Sequence, residues 1–167
     1  VMQCLDDHII LRHGVIEGHV YPRAAADIGE FLAQTLFRTS VLSMESQERR
    51  RLMADFVSNS ELCKLTEEFV FTFPYVTHSS NYVNPATEHW ADEYLRPDEA
   101  SRLGVVNLME LFLTKADALL HADLHTGSLM VNDHETYVID TEFAYFGPFG
   151  FDVGKIIANF FMAATSH

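Results

Sequence analysis

Apolar residues recur at helical spacing along much of the chain, and this pattern predicts a mostly helical protein. The longest such stretch predicts a helix over about 22 to 44, with Pro22 in its first turn. A second long helix is predicted after Pro97, where Asp98 and Glu99 suit the positive end of a helix dipole. Its predicted inner stripe is Leu103, Val106, Met109, Leu113, Ala116 and Leu120.

Shorter patterns complete the helical prediction. Helices are expected around 47–57 and 61–70, and a last one is expected to turn Val153, Ile157 and Phe160 inward. The stretch 71–88 contains two prolines and several Asn and Ser residues, which predicts a loop. The first dozen residues alternate weakly, which favours a strand that leads into a loop around Gly14 and Gly18.

The pattern changes at residue 121. A polar, glycine-bearing segment covers 121–128, and two short apolar runs follow at 129–131 and 137–139. The polar residues 132–135 lie between these runs, and the length and turn chemistry of the whole segment predict a β-hairpin. The fold class that follows is α+β, mostly helical, with one small hairpin.

Candidate chemistry flanks this hairpin. Asp123 and Ser128 precede its first strand, while Asp140 and Glu142 follow its second, so all four are expected at one end. Phosphoryl transfer needs a carboxylate to accept the proton of the attacking hydroxyl, a role that suits Asp123. Mg²⁺ prefers hard oxygen ligands, which Asp140 and Glu142 would supply from one face of a strand end. The Ser128 hydroxyl is a weaker candidate for a metal-bound water or a phosphate oxygen.

These segments resemble the S-methyl-5-thioribose kinases, a branch of the aminoglycoside-phosphotransferase-like kinases. The family run His-Gly-Asp-Leu-His-Thr-Gly-Ser corresponds to 121–128. The runs Asp-Pro-Glu-Phe-Ala-Phe-Tyr-Gly-Pro and Gly-Phe-Asp correspond to 140–148 and 150–152. The resemblance continues through 9–12, 21–22, 61–63 and Phe71, so it covers nearly the whole chain.

The resemblance implies a partial protein-kinase-like domain over 1–167. Residues 1–6 would be the hinge strand and 7–167 the C-terminal lobe, with the N-lobe and the C-terminal end missing. The apolar residues at both ends of the sequence agree with a fragment. The implied reaction transfers the ATP γ-phosphoryl group to the 1-hydroxyl of S-methyl-5-thioribose in methionine salvage, with ATP and Mg²⁺ as cofactors.

The resemblance also assigns roles to residues. Asp123 would be the catalytic base and a substrate contact, and Asp140 and Glu142 would hold the metal–nucleotide. The hinge residues Met2, Gln3 and Leu5 would receive the adenine. Supporting positions around the loop are His121, His125 and Asp152. Asp152 is expected within hydrogen-bond reach of residues 121–125.

Several departures from the family pattern stand out. Ala122 replaces a glycine, which introduces strain if that position needs a positive φ. Thr141 replaces a proline. The glycine-containing phosphate loop, the ATP-binding lysine of the N-lobe and the substrate-binding arginine pair are absent from the 167 residues. The chain alone is therefore expected to bind ATP poorly.

The formal net charge of −13 opposes binding to nucleic acid or to an anionic membrane. It also requires a counter-charge for phosphate, which a divalent metal supplies. The expected partners are a sugar substrate and ATP, with a homodimer left open, and the expected location is the cytoplasm. Three alternatives stay open: a kinase for aminoglycoside, choline or homoserine; a zinc hydrolase with ligands His121, Asp123 and His125; and a non-catalytic remnant.

Overall fold

The computed structural model describes residues 4–166, which form two compact units. The first unit combines residues 4–58 with 116–166 and contains every strand that the structure describes. The second unit, Asn59–Lys115, is helical. The predicted α+β class is therefore confirmed. Within 4–166, no helix is both long and apolar enough to cross a membrane.

The described part of the first unit contains four α-helices: α1 Leu11–Ile16, α2 Ala24–Thr39, α3 Ser46–Phe56 and α7 Gly150–Thr165. Helix α3 begins where the Glu45 carboxylate accepts the backbone N–H groups of Gln47 and Glu48 at 2.7 and 3.1 Å. Helix α2 is shorter than predicted, because Ser40 ends it by donating its hydroxyl to the Phe37 carbonyl at 2.8 Å.

Two small antiparallel sheets complete the first unit. One has the order β1–β3–β4, and the other pairs β2 with β5. The bounds are β1 Ile9–Ile10, β2 Ala118–Leu120, β3 Leu129–Val131, β4 Thr136–Val138 and β5 Tyr145–Gly147. The predicted hairpin is confirmed as β3–β4, with Met130 opposite Tyr137.

The core of the first unit lies between α2 and these sheets. Helix α2 buries Ala24, Ile28, Leu32 and Leu36 at intervals of four residues. Its last residue, Thr39, accepts the Leu119 N–H on its hydroxyl at 2.8 Å, which ties α2 to β2. Leu42 belongs to the stretch predicted as this helix, but it lies beyond the helix end and is 72% exposed. Leu120, Leu124 and Leu129 are fully buried, so the segment around residue 124 is anchored on both sides.

The second unit begins with α4, Ser60–Thr66, which continues as a π-helical turn over Glu67–Thr72. Residues 85–88 are helical rather than the predicted loop, because Asn84 caps Ala86 and Pro85 occupies the first turn. The remaining bounds are Phe73–Tyr75 (3₁₀), α5 Pro85–Trp90, Ala91–Leu95 (π) and α6 Glu99–Thr114.

Helix α6 starts at the predicted place, where the Asp98 carboxylate accepts the Ala100 N–H at 3.1 Å. Its predicted inner stripe is wrong at three of its six residues. Leu103, Val106 and Leu113 are mostly exposed, and Phe112 is the buried residue, with its ring 5.3 Å from that of Phe71. The helix is apolar on more than one side, so periodicity alone did not identify the buried face.

Candidate active site

The loop His121–Ser128 connects β2 to β3, and the segment after β4 returns beside it. The Ser128 carbonyl accepts the Ile139 N–H at 3.0 Å, one step beyond the last β3–β4 pair. The His121 ring donates from Nε2 to the Ile139 carbonyl at 2.8 Å. These bonds bring the backbone of the loop against the residue that precedes Asp140, which is the juxtaposition that a hairpin predicts.

Asp152, in the first turn of α7, holds the start of this loop. Its carboxylate is 1% exposed and accepts the N–H groups of His121 and Ala122 at 2.7 and 2.9 Å. The contact that the sequence analysis expected between Asp152 and the loop is therefore present. Burial raises the pKa of Asp152, although the two N–H donors favour its charged form.

Ala122 has a φ of 65°, in the left-handed region, and is buried. A left-handed backbone brings Cβ close to the following carbonyl and costs an L-residue about 1–2 kcal/mol. The backbone strain expected for a non-glycine residue with positive φ at position 122 is thus present. Asp152 keeps the strained peptide in place by bonding its N–H.

We expect Ala122→Gly to leave the free energy of unfolding unchanged or to raise it by up to about 1 kcal/mol. Relief of strain offsets the lost methyl burial and the greater freedom of the unfolded chain. The matched control is Ala158→Gly, in the exposed middle of α7, which should destabilise by about 0.5–1 kcal/mol. Urea unfolding of the full-length gene product measures both; equal losses would contradict strain at Ala122.

His121 is a structural part of the loop. Its Nδ1 accepts the Asp123 N–H at 3.2 Å and its Nε2 donates to Ile139, so both ring nitrogens bond backbone. No group of three or more His, Cys, Asp or Glu side chains within 4–166 is arranged to hold a metal. The predicted zinc alternative with His121, Asp123 and His125 is therefore wrong on the geometry of its donors.

The Asp123 carboxylate lies in the middle of the loop and is about three-quarters buried. Its Oδ1 accepts a hydrogen bond from the Lys155 ammonium, and its Oδ2 faces His125 Nε2 at 3.3 Å. Burial alone would raise the pKa of Asp123, but the Lys155 hydrogen bond and charge, with smaller contributions from His125 and His121, hold that pKa below its usual value. The group is therefore an ionised acceptor at neutral pH.

The His125 ring has one fixed tautomer, and its Nε2 faces Asp123. Its Nδ1 faces two donors, the Gly127 N–H at 2.8 Å and the Arg12 guanidinium at 3.0 Å, so the proton belongs on Nε2. Burial lowers the pKa of His125, and the positive charges of Arg12 and Lys155 lower it further. The negative charge of Asp123 raises this pKa but does not outweigh them. A Cβ on Gly127 would lie 2.6 Å from the His125 ring, so this close packing requires glycine.

Ser128 is held inside the loop. Its hydroxyl is buried and accepts the His125 N–H at 2.9 Å. The hydroxyl oxygen also lies 2.9 Å from both the Asp123 and the His125 carbonyl oxygens, so its single proton is shared between these two acceptors. The burial and these bonds oppose the predicted contact between Ser128 and a metal or phosphate. We infer instead that Ser128 fixes the shape of the loop around Asp123.

Asp140 and Glu142 are exposed, but they do not lie on a strand. Strand β4 ends at Val138, Asp140 is left-handed with φ 66°, and Thr141–Phe143 form a 3₁₀ turn. The prediction that Asp140 and Glu142 share one face of a strand end is therefore wrong. Asp and Asn tolerate the left-handed region better than other non-glycine residues, so Asp140 is suited to this backbone.

The predicted hinge residues lie at the beginning of the sequence. Met2 and Gln3 fall outside the described residues. Leu5 is half-buried and is not part of a strand; its carbonyl accepts the His8 N–H at 3.2 Å in a turn. The predicted hinge strand is therefore absent at Cys4 and Leu5.

Three residues near the loop were missed by the sequence analysis: Lys155, Arg12 and Asn159. Asn159 accepts the Thr126 hydroxyl at 3.2 Å, and Arg12 donates its backbone N–H to the Thr126 carbonyl at 2.9 Å. A signal for two of them existed. Once Asp152 faces the loop, positions 155 and 159 of the same helix must face it as well, because residues three, four and seven apart share a face.

Comparison with known proteins assigns the family. Residues 1–167, the whole sequence, match the phosphotransferase enzyme family. The chain belongs to this family. The predicted kinase-like fold is therefore confirmed.

Several curated relatives in this phosphotransferase family are named methylthioribose kinase. The chain is 48% identical over 166 residues to that of Geobacillus thermodenitrificans and 47% identical over 167 residues to that of Geobacillus sp. strain WCH70. It is 42% identical over 166 residues to that of Escherichia coli O45:K1. These matches cover 99% of the chain but only 39–41% of the relatives, so the chain spans about two fifths of their length.

Proposed function

We propose that the protein is a small-molecule kinase that transfers the γ-phosphoryl group of ATP to the 1-hydroxyl of S-methyl-5-thioribose, in methionine salvage. The observation that carries this proposal is Asp123, an ionised and partly accessible carboxylate. It lies on a loop whose first two backbone N–H groups donate hydrogen bonds to Asp152. The substrate is taken from the relatives, which are named methylthioribose kinase.

The proposed reaction uses Asp123 as the base. The substrate hydroxyl donates a hydrogen bond to the carboxylate, its oxygen attacks the γ-phosphorus, and its proton passes to Asp123. A new O–P bond forms, the bond to the β,γ-bridging oxygen breaks, and ADP leaves. The carboxylate keeps free lone pairs for this role, because each carboxylate oxygen can accept more than one hydrogen bond.

Asp140 and Glu142 are the proposed Mg²⁺ ligands. Their exposure and hard oxygen donors fit a cation that binds through one or two carboxylates, several waters and the substrate phosphates. When bound, Mg²⁺ neutralises charge on the β- and γ-phosphates. The left-handed turn of Asp140 matters here, since it sets the carboxylate direction at the end of the hairpin.

The remaining proposed contacts concern the nucleotide. Met2, Gln3 and Leu5 are proposed to receive the adenine, on the strength of the family resemblance alone. ATP and the sugar are the proposed partners, and dependence on ATP is consistent with a cytoplasmic protein.

The test is a single-turnover assay of the full-length gene product with γ-labelled ATP and Mg²⁺. Methylthioribose is compared with an aminoglycoside, choline and homoserine at equal concentrations. Transfer of label to methylthioribose well above the other acceptors supports the proposal. Faster transfer to another acceptor would identify that acceptor as the substrate in place of methylthioribose. The absence of transfer to every acceptor would favour a non-catalytic remnant.

Asp140→Asn should raise the Mg²⁺ concentration needed for half-maximal rate by at least about tenfold. Asparagine tolerates the left-handed backbone, so the change removes charge with little effect on the turn. Titration of the rate with Mg²⁺ at saturating ATP measures the shift. Asp55→Asn, at an exposed position of α3, is the matched control and should leave the requirement unchanged. An equal Mg²⁺ requirement in both variants would remove Asp140 as a ligand.

A further inference from the structure

Helix α7 presents three polar side chains to the loop, at positions 152, 155 and 159. Asp152 bonds two loop amides and Asn159 accepts the Thr126 hydroxyl, so the helix is fixed to the loop on both sides of Lys155. The Lys155 side chain is 25% exposed, and its ammonium lies 5.9 Å from the Phe151 ring centroid. Lys155 is therefore a positioned cation, unlike the 67% exposed Lys64 of α4.

Lys155 contacts the carboxylate at which the substrate hydroxyl would bind. An ammonium has three N–H donors, and its hydrogen bond to Asp123 Oδ1 uses one. A hydroxyl bonded to Asp123 would place the attacked phosphorus within about 6 Å of that carboxylate, from one hydrogen bond and one near-attack distance. The unused donors of Lys155 thus lie within reach of the phosphoryl oxygens.

Charge gives a reason for a cation at this point. The chain carries a net charge of −13, and Asp123 itself repels the anionic group that must approach it. A fixed positive charge beside developing negative charge stabilises a phosphoryl-transfer transition state. We propose that Lys155 is a catalytic residue that binds the γ-phosphoryl oxygens beside Asp123; this rests on the proposed kinase function.

The lysine would act without gaining or losing a proton. As the substrate hydroxyl takes over a hydrogen bond to Asp123, the Lys155 ammonium shifts a donor toward the γ-phosphoryl oxygens. The O–P bond then forms, the bridging O–P bond breaks, the substrate proton goes to Asp123, and ADP leaves. Lys155 stays protonated and neutralises charge on the group in transfer.

The experiment compares wild type, Lys155→Met and Lys155→Arg in the full-length gene product. Dissociation constants for MgATP and MgADP are measured without acceptor, and kcat is measured with methylthioribose. We expect Lys155→Met to weaken MgATP binding about tenfold, to leave MgADP binding unchanged and to lower kcat about 100-fold or more. Lys155→Arg should recover part of the MgATP affinity. Lys64→Met is the control and should match wild type.

The pH profile reports on the contact between Lys155 and Asp123. Besides Lys155, the charged or titratable groups that act on Asp123 are His125 and His121, with Arg12 behind His125. Removal of Lys155 takes away the contact that most strongly lowers the pKa of Asp123, so the acid limb of kcat/KM should move to higher pH. A lysine that only holds Asp123 would also shift this limb and lower the unfolding midpoint, but it would leave the MgATP-to-MgADP affinity ratio unchanged.

Several outcomes overturn the proposal. A kcat at or above wild type in Lys155→Met would mean that Lys155 blocks the base, and equal losses of MgATP and MgADP affinity would mean that it does not contact the γ-phosphoryl group. If wild type binds MgATP but phosphorylates no acceptor, the kinase function fails while the affinity ratio still decides the role of Lys155. If wild type binds neither nucleotide, both proposals fail.

Discussion

Replacing Asp123 by Asn is expected to lower kcat by about 100- to 10,000-fold, the range over which a general base contributes. Asparagine keeps the size and the backbone contacts of the residue, but it accepts no proton at neutral pH. The loss should therefore appear in kcat, with the MgADP dissociation constant changed little. Single-turnover rates with methylthioribose in the full-length gene product measure it, over the range of pH in which wild type is folded.

Asp133→Asn is the matched control for this change. Asp133 is exposed in the four-residue connection of the β3–β4 hairpin, at the end of β3 opposite the loop, so the same substitution there removes one negative charge without changing the loop. It should leave kcat within about twofold of wild type, the scale of a surface change. If Asp123→Asn behaved like this control, the carboxylate would not be the base, and the proposed function would lose the observation on which it depends.

Asp152→Ala is expected to have the second largest effect, on stability as well as on rate. The change leaves the buried N–H groups of His121 and Ala122 without their acceptor, and each unsatisfied buried donor costs about 1–3 kcal/mol. We expect a loss of about 2–5 kcal/mol in the free energy of unfolding. The strained Ala122 should also relax, displace Asp123 and lower kcat by about 10- to 100-fold.

Two further variants separate these effects. Asp152→Asn retains one acceptor but turns an NH₂ group toward the second backbone donor. Its free energy of unfolding should therefore lie between those of wild type and Asp152→Ala. Asp55→Ala, at an exposed position of α3, is the control for removing a carboxylate and should change stability by less than about 0.5 kcal/mol. Urea unfolding and kcat are measured on the same preparations. If the Asp152→Ala protein were as stable as the control, the hydrogen bonds from the loop to Asp152 would not stabilise the fold.

The two effects also report on different levels of the structure. Asp123 acts through its charge, so its loss should leave the fold intact. Asp152 acts through backbone geometry, so its loss should change hydrogen exchange of the His121 and Ala122 amides before it changes anything far from the loop.

The sequence by itself determined the features that depend on neighbouring residues. The β3–β4 hairpin follows from two apolar runs and a polar four-residue turn, and the start of α6 follows from Pro97 and Asp98, because turn and cap signals act within a few residues. The loop with Asp123 at its centre, and Asp152 at the start of α7, was also apparent from spacing. The family motif added the chemistry.

Only the tertiary structure decided features that depend on contacts across the chain. The short strands β1, β2 and β5 carry too few residues to show a period, and they exist because each has a partner. The buried face of α6, the left-handed φ of Ala122 and the Lys155–Asp123 contact depend on surroundings that no local pattern contains. Burial, backbone strain and ion pairing are set by neighbours in space, and Lys155 lies 32 residues from its partner in sequence.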